Sequence, residues 1–268
     1  MKATKIIAVL AVALVAGTMG LTSCSKGGKA KSEQKESKKD GGKSVVLAES
    51  DFDVKFTEDE SGCIITGFHG DYSALKGKDV TFPSTVQGLP VKGINNALPY
   101  RAASITIPEG VEWINDNTSN IIEDGVTSVK LPSTLKIIGA STFESVKSLT
   151  ECNLPEGLIF IGQNAFYGSG LKSVTLPNSL KVIEFNAFWC CDSLEEINIP
   201  DGLVIMHDGY FELFSGEKIK ASLGLQKTIK DMNHKQVDNN KIRKILKDGG
   251  CSKDSFDATG ILYDDPWG

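Results

Sequence analysis

Apolar and polar positions recur at fixed spacing along residues 80–211. Six times the chain runs apolar, polar, apolar, proline: Val80-Thr81-Phe82-Pro83, Ile105-Thr106-Ile107-Pro108, Val129-Lys130-Leu131-Pro132, Cys152-Asn153-Leu154-Pro155, Val174-Thr175-Leu176-Pro177 and Ile197-Asn198-Ile199-Pro200. The prolines are separated by 25, 24, 23, 22 and 23 residues. Three residues after each lies Val86, Val111, Leu135, Leu158, Leu180 or Leu203. Further on come Ile114, Ile138, Ile161, Ile183 and Met206, then Phe143, Phe166, Phe188 and Phe211, and Leu149, Leu171 and Leu194 close their turns. Two apolar residues around a polar one are the period-2 pattern of a short strand with one buried face. The proline after it removes a backbone donor and ends the strand. A period in this range predicts a stacked solenoid, in which each turn is too small to fold alone and is stabilised by its neighbours.

Residues 171–188, Leu-Lys-Ser-Val-Thr-Leu-Pro-Asn-Ser-Leu-Lys-Val-Ile-Glu-Phe-Asn-Ala-Phe, resemble the BspA-type leucine-rich repeat. The likeness covers residues 80–211 and is sharpest after Val126. It departs from the pattern at the inserted Gly88-Leu89-Pro90 and in residues 115–123, which lack the phenylalanine. It implies a leucine-rich-repeat solenoid, with short parallel strands on one face and irregular, 3-10 or short helical turns on the other. Residues 51–68 fit the hairpin that opens such arrays: Phe52, Val54 and Phe56 alternate with polar residues, as do Cys63, Ile65 and Gly67. After Phe211 the phrase decays. Ile219-Lys220-Ala221 stands 22 residues after Ile197-Asn198-Ile199, as a seventh strand would. Leu225, Ile229 and Met232, then Ile242, Ile245 and Leu246, follow helical spacing, and they predict two short helices closing the bottom of the stack. Four segments result: a signal peptide over 1–23, a tether over 24–49, a hairpin-capped solenoid over 50–216, and a helical cap and tail over 217–268.

Charge and composition add the cellular setting. Lys2 and Lys5 precede an apolar run over residues 6–16, and Leu21-Thr22-Ser23-Cys24 follows, the arrangement of a bacterial export signal. The last four residues resemble a lipobox, which implies acylation of Cys24 and membrane anchoring. Residues 25–44 hold seven lysines and three acids without an aromatic residue, a composition that stays solvated. Residues 45–216 carry 23 acids and 10 bases, whereas residues 217–247 carry nine bases and three acids. An acidic solenoid lacks the phosphate-neutralising charge that drives nucleic-acid binding.

No catalytic constellation emerges, so the expectation is a protein that is not an enzyme and needs no cofactor or metal. His69, His207 and His234 are far apart. His207-Asp208 lacks a partner nucleophile, and Gly168-Ser169-Gly170 lacks the Gly-Lys of a phosphate loop. Glu195 and Glu196 are neighbours and point to opposite strand faces. Besides Cys24 there are Cys63, Cys152, Cys190, Cys191 and Cys251. Cys152 and Cys191 read as core thiols and Cys190 and Cys251 as exposed ones, with pairing not assignable from sequence.

What remains is the outward face of the strands. The middle residues, Thr81, Thr106, Lys130, Asn153, Thr175 and Asn198, form one column, and Asp79, Ser104, Ser128, Glu151, Ser173 and Glu196 form another. Six parallel strands make a ladder roughly 25 Å long, the extended surface on which solenoids bind partners. The resemblance implies a bacterial cell-envelope protein, lipid-anchored at the outer membrane and exposed at the surface. It also implies adhesion to a host-matrix or cell-surface protein as the function. An envelope-organising or glycan-binding lipoprotein is the alternative.

Overall fold

The computed structural model of the 268-residue chain describes residues 43–116, 125–184, 186–205, 239–257 and 259. The chain divides into two compact units, Met1–Lys39 and Asp40–Gly268, and every described residue lies in the second. Cys24, His207, His234, Met206, Phe211, the expected strand at residues 219–221 and the helix expected around Leu225, Ile229 and Met232 all fall outside the described residues.

The described strands are β1 (Ser44–Val46), β2 (Phe52–Phe56), β3 (Cys63–Phe68), β4 (Asp79–Thr81), β5 (Thr85–Val86), β6 (Leu89–Asn95), β7 (Ser104–Thr106), β8 (Trp113–Asn115), β9 (Ser128–Lys130), β10 (Ile137–Ile138), β11 (Glu151–Cys152), β12 (Phe160–Ile161), β13 (Ser173–Val174), β14 (Val182–Ile183), β15 (Glu196–Ile197) and β16 (Val204–Ile205). A solenoid of parallel strands results. The expected phrase supplies four strands of one sheet, ordered β1-β4-β7-β9-β11, and a separate pair β13-β15. Each proline follows its strand, as expected.

The second sheet is the element that the pattern did not announce. It runs β16-β14-β12-β10-β8-β6-β3-β2, with β5 paired antiparallel to β6 through a turn at Gln87 and Gly88, both at positive φ. Its strands are built on consecutive apolar pairs: Trp113-Ile114, Ile137-Ile138, Phe160-Ile161 and Val182-Ile183. The second residue of each pair enters the main core, and the first points outward into another apolar cluster. Strands covered on both faces lose their alternation, so Ile114, Ile138, Ile161 and Ile183 read as plain core residues when each is half of a strand. The register pairs Ile205 with Ile183 in the last turn, and Met206 lies outside the described residues.

Between the sheets, Phe143, Phe166 and Phe188 form a stacked column, with ring centroids 5.3 Å and 5.1 Å apart. All three are buried. Ser141, Asn164 and Asn186, two residues before each ring, adopt positive φ and turn the backbone into it. Turns come closest at Gly162, where a Cβ would lie 2.6 Å from the Ala140 nitrogen, and at Gly170, 2.0 Å from the Lys147 carbonyl oxygen.

The hairpin forms as expected from β2 and β3 and occupies the end of the second sheet, with a register shift between Asp53 and Val54. Residues 44–46, which composition places at the end of the tether, are instead the first strand of the first sheet, aligned Val45 to Val80. The preceding lysine-rich run conceals them, yet Val45 packs against the core and Leu47 is buried.

Helix α1 (Asn239–Asp248) confirms the spacing of Ile242, Ile245 and Leu246, and a short helix α2 (Lys253–Asp257) follows. Their place differs from the expected one. Ile242, Leu246, Cys251 and Phe256 cover the outward residues Ile64, Trp113, Ile137, Phe160 and Val182 of the second sheet. Lys136 Nζ donates to the Gly250 carbonyl at 2.5 Å, and the Glu58 N–H donates to Asp254 Oδ2 at 3.0 Å. This segment therefore lies along the flank of the stack and reaches back to the opening hairpin. The reason is the outward apolar stripe, which would otherwise face water.

Candidate interaction surface

The two expected columns exist where strand pairing can be followed. Val46, Thr81, Thr106 and Lys130 are in register across β1, β4, β7 and β9. Ser44, Asp79, Ser104, Ser128 and Glu151 are in register across the same strands and β11. Five strands at about 4.8 Å make a face about 19 Å long. Thr81 and Thr106 are half-buried, and Lys130, Asn153, Thr175 and Asn198 are exposed. Val46, 70% exposed, heads the middle column. It was missing from the sequence reading because it was assigned to the tether.

The columns are not equally free to meet a ligand. Ser104 Oγ donates to Asp79 Oδ1 at 2.8 Å. Asn198 is clamped: the Leu176 N–H donates to its Oδ1 at 2.6 Å, and its Nδ2 donates to the Leu176 carbonyl at 2.9 Å. Its amide extends the β13-β15 ladder after the backbone pairing ends, so its place in the column is a brace. Ser173, Thr175, Glu196 and Asn198 line an open depression at this end of the face. Lys130 is the one cation of the six middle-column residues; hydrogen bonds from Ser133, with a smaller contribution from the Lys130 charge, hold the Glu109 carboxyl below its ordinary value.

The other chemical candidates resolve into structural roles. His69 Nε2 lies 2.9 Å from Asp53 Oδ1 on the exposed hairpin. Among the described residues, no group of three or more His, Cys, Asp or Glu side chains is placed to hold a metal ion, and no described helix is long and apolar enough to cross a membrane. Cys63, Cys152, Cys190, Cys191 and Cys251 are all free thiols. Cys152 and Cys191 are core residues as expected, and burial pushes them up to about 12 and about 11. Cys190 is half-buried, and Cys251, expected at the surface, is buried where the C-terminal segment meets the second sheet, which pushes it up to about 11.

Besides Asp254 of the C-terminal segment, two buried acids of the stack escaped the sequence reading. Asp116 Oδ2 accepts the Leu98 N–H at 2.9 Å. Glu184 Oε2 accepts the Gln163 N–H at 2.8 Å, and burial pushes its carboxyl up to about 7. Each carboxylate reaches back to the preceding turn and replaces a backbone acceptor. The available signal was positional: Glu184 stands where the two preceding turns have Gly139 and Gly162.

The BspA type Leucine rich repeat region matches residues 122–242 in six copies. No curated protein matches the sequence. Among solved structures, the leucine rich repeat protein of T. pallidum aligns at 22% identity and a TM-score of 0.51, over 71% of this chain and 97% of that one. A leucine-rich repeat protein from Bacteroides ovatus aligns at 26% identity and a TM-score of 0.50, over 63% of this chain and 45% of that one. A leucine rich cell surface protein from Faecalibacterium prausnitzii aligns at 21% identity and a TM-score of 0.50, over 62% of this chain and 45% of that one. The chain thus spans less than half the length of the latter two. With the strand phrase and the phenylalanine column, residues 122–242 thus carry repeats that match the BspA type of leucine-rich repeat.

Proposed function

We propose that this chain is an exported protein, lipid-anchored through Cys24, that uses the exposed face of its first sheet to bind another protein at the bacterial cell surface, in adhesion to host or other cells. The observation that carries this reading is the pair of in-register columns, one running across four strands and the other across five, that ends in the exposed Lys130 and Glu151. Short polar side chains held at strand spacing cost little entropy to order on binding, since the sheet has already fixed them. Asp79, Glu151 and Glu196 place carboxylates beside the Thr81, Thr106, Asn153 and Thr175 column, with Lys130 between them. A partner offering lysine or arginine to these carboxylates and a carboxylate to Lys130 suits this face. The Faecalibacterium protein of the same fold is named a cell surface protein, which supports the setting.

The test has two parts. Protease added to intact cells should remove the protein; protection would place it on the inner side of the envelope and favour an organising role. The purified protein should bind extracellular-matrix proteins, and Lys130→Glu or Thr175→Trp should abolish binding without changing the circular dichroism spectrum. Parental binding by both variants would exclude this face.

A further inference from the structure

The hairpin strand β2 ends the second sheet, and among the described residues no strand lies beyond it. Its backbone groups divide cleanly. The Thr57 N–H donates to the Gly62 carbonyl at 3.0 Å, and the Asp51 carbonyl accepts from the His69 N–H at 2.7 Å. The odd-numbered residues of β2 therefore face β3, and the N–H and C=O groups of Val54 and Phe56 face the open edge, where Phe52 offers its C=O while its N–H donates to the Glu49 carbonyl. Such an edge is a template for another strand.

Its side chains specify which strand. Phe56 is 59% exposed although it lies at the end of a core-facing row with buried Phe52 and half-buried Val54. On the opposite face stand Asp53 and Lys55, both exposed, with Asp53 held by His69. A lysine on an edge strand ordinarily discourages pairing. Here a carboxylate two residues earlier makes the edge self-complementary. If a second copy is placed antiparallel about a two-fold axis through Val54, Phe56 lies opposite Phe52 of the copy. Asp53 then lies opposite Lys55 of the copy, each of these pairs occurring twice. Directly opposed charges and aromatic pairs are what stabilise antiparallel neighbours, and an interface of one patch with itself is the ordinary form of a closed dimer. A parallel or register-shifted copy would oppose like charges or leave Phe56 in water.

We propose that β2 is a homodimerisation edge, joining two copies of this chain head to head into one continuous sheet. This surface is distinct from the polar columns of the first sheet, so its test does not depend on the ligand proposed above.

Sedimentation velocity of the full chain should show a concentration-dependent dimer. Lys55→Asp sets like charges opposite one another at both pairs and should weaken association about tenfold or more. The double variant Asp53→Lys/Lys55→Asp should restore it. Both positions are exposed, so the fold is retained, and circular dichroism checks this. In a second measurement, Val54→Cys should trap a disulfide between the two position-54 residues under mild oxidation, identified by peptide mass. Opposed residues of an antiparallel pair lie about 5.5 Å apart, within disulfide reach. A monomer at all concentrations would overturn the proposal. So would a dimer indifferent to Lys55→Asp, failure of the double variant to restore pairing, or crosslinks that avoid position 54.

Discussion

Replacing Glu184 by glutamine should stabilise the protein at neutral and alkaline pH and do little in acid. The carboxyl is 6% exposed and accepts one N–H, from Gln163 at 2.8 Å. Burial raises its pKa from 4.5 to about 7, the Gln163 hydrogen bond offsetting only part of the effect. The folded state therefore prefers the proton. Below pH 4.5 both folded and unfolded chains carry it, and the group costs nothing. Between 4.5 and 7 the unfolded chain releases the proton first, and stability falls as pH rises. Above 7 the whole difference is lost, about 3 kcal/mol for a shift of this size at 1.36 kcal/mol per unit. Glutamine keeps the oxygen that meets the Gln163 N–H and removes the charge. At pH 8 Glu184→Gln should raise the melting temperature by about 6–12 °C, from roughly 2–4 °C per kcal/mol for a domain of this size. At pH 4.5 the two proteins should melt together. The assay is thermal denaturation followed by circular dichroism at several pH values, parent beside variant, so that other titrating groups cancel. A difference that does not change with pH, or destabilisation at pH 8, would refute the assignment of a buried carboxyl that favours its neutral form.

Other expectations follow from single contacts. Phe166→Ala removes the middle ring of the stacked column, 5.3 Å from Phe143 and 5.1 Å from Phe188, and should cost about 3–5 kcal/mol, measured by denaturant titration. Gly162→Ala pushes a Cβ to within 2.6 Å of the Ala140 nitrogen and should destabilise by about 1–3 kcal/mol, the reverse of what alanine does at an unhindered glycine. Leu246→Asp sets a charge among Trp113, Ile137, Phe160 and Val182, so α1 should detach, seen as lost helical ellipticity and increased binding of an apolar dye. In native-state thiol labelling Cys190 should react before Cys63, Cys152, Cys191 and Cys251, which need an opening of the structure first.

Much of this molecule was legible in its sequence because one physical demand repeats. A turn of about 23 residues that must bury one strand face and stop cleanly writes the same apolar-polar-apolar-proline phrase each time, so the first sheet, the phenylalanine column and the polar columns could be located by counting. The opening hairpin was legible for the same reason, since its alternation reflects one buried face. The family likeness rests on those residues. Positions that depend on what lies across from them were not legible. Consecutive apolar pairs such as Ile137-Ile138 do not say whether they fill an interior or form a strand covered on both sides, and only the arrival of α1 from more than 100 residues away decides it. Val46 looked like tether because its strand pairing with β4 lies 35 residues on. Cys251 looked exposed because the second-sheet residues of its cluster lie far from it in the chain. Asn198 looked free because its clamp, Leu176, belongs to another turn. Glu184 drew no reading from the sequence, because only stacking of the turns removes its water. The sequence by itself determined the repeat, its period and the residues that face outward. Tertiary structure decided which apolar faces meet, which thiols and carboxyls lose solvent, and which edge stays open, because each of these is set by surfaces brought together from distant parts of the chain.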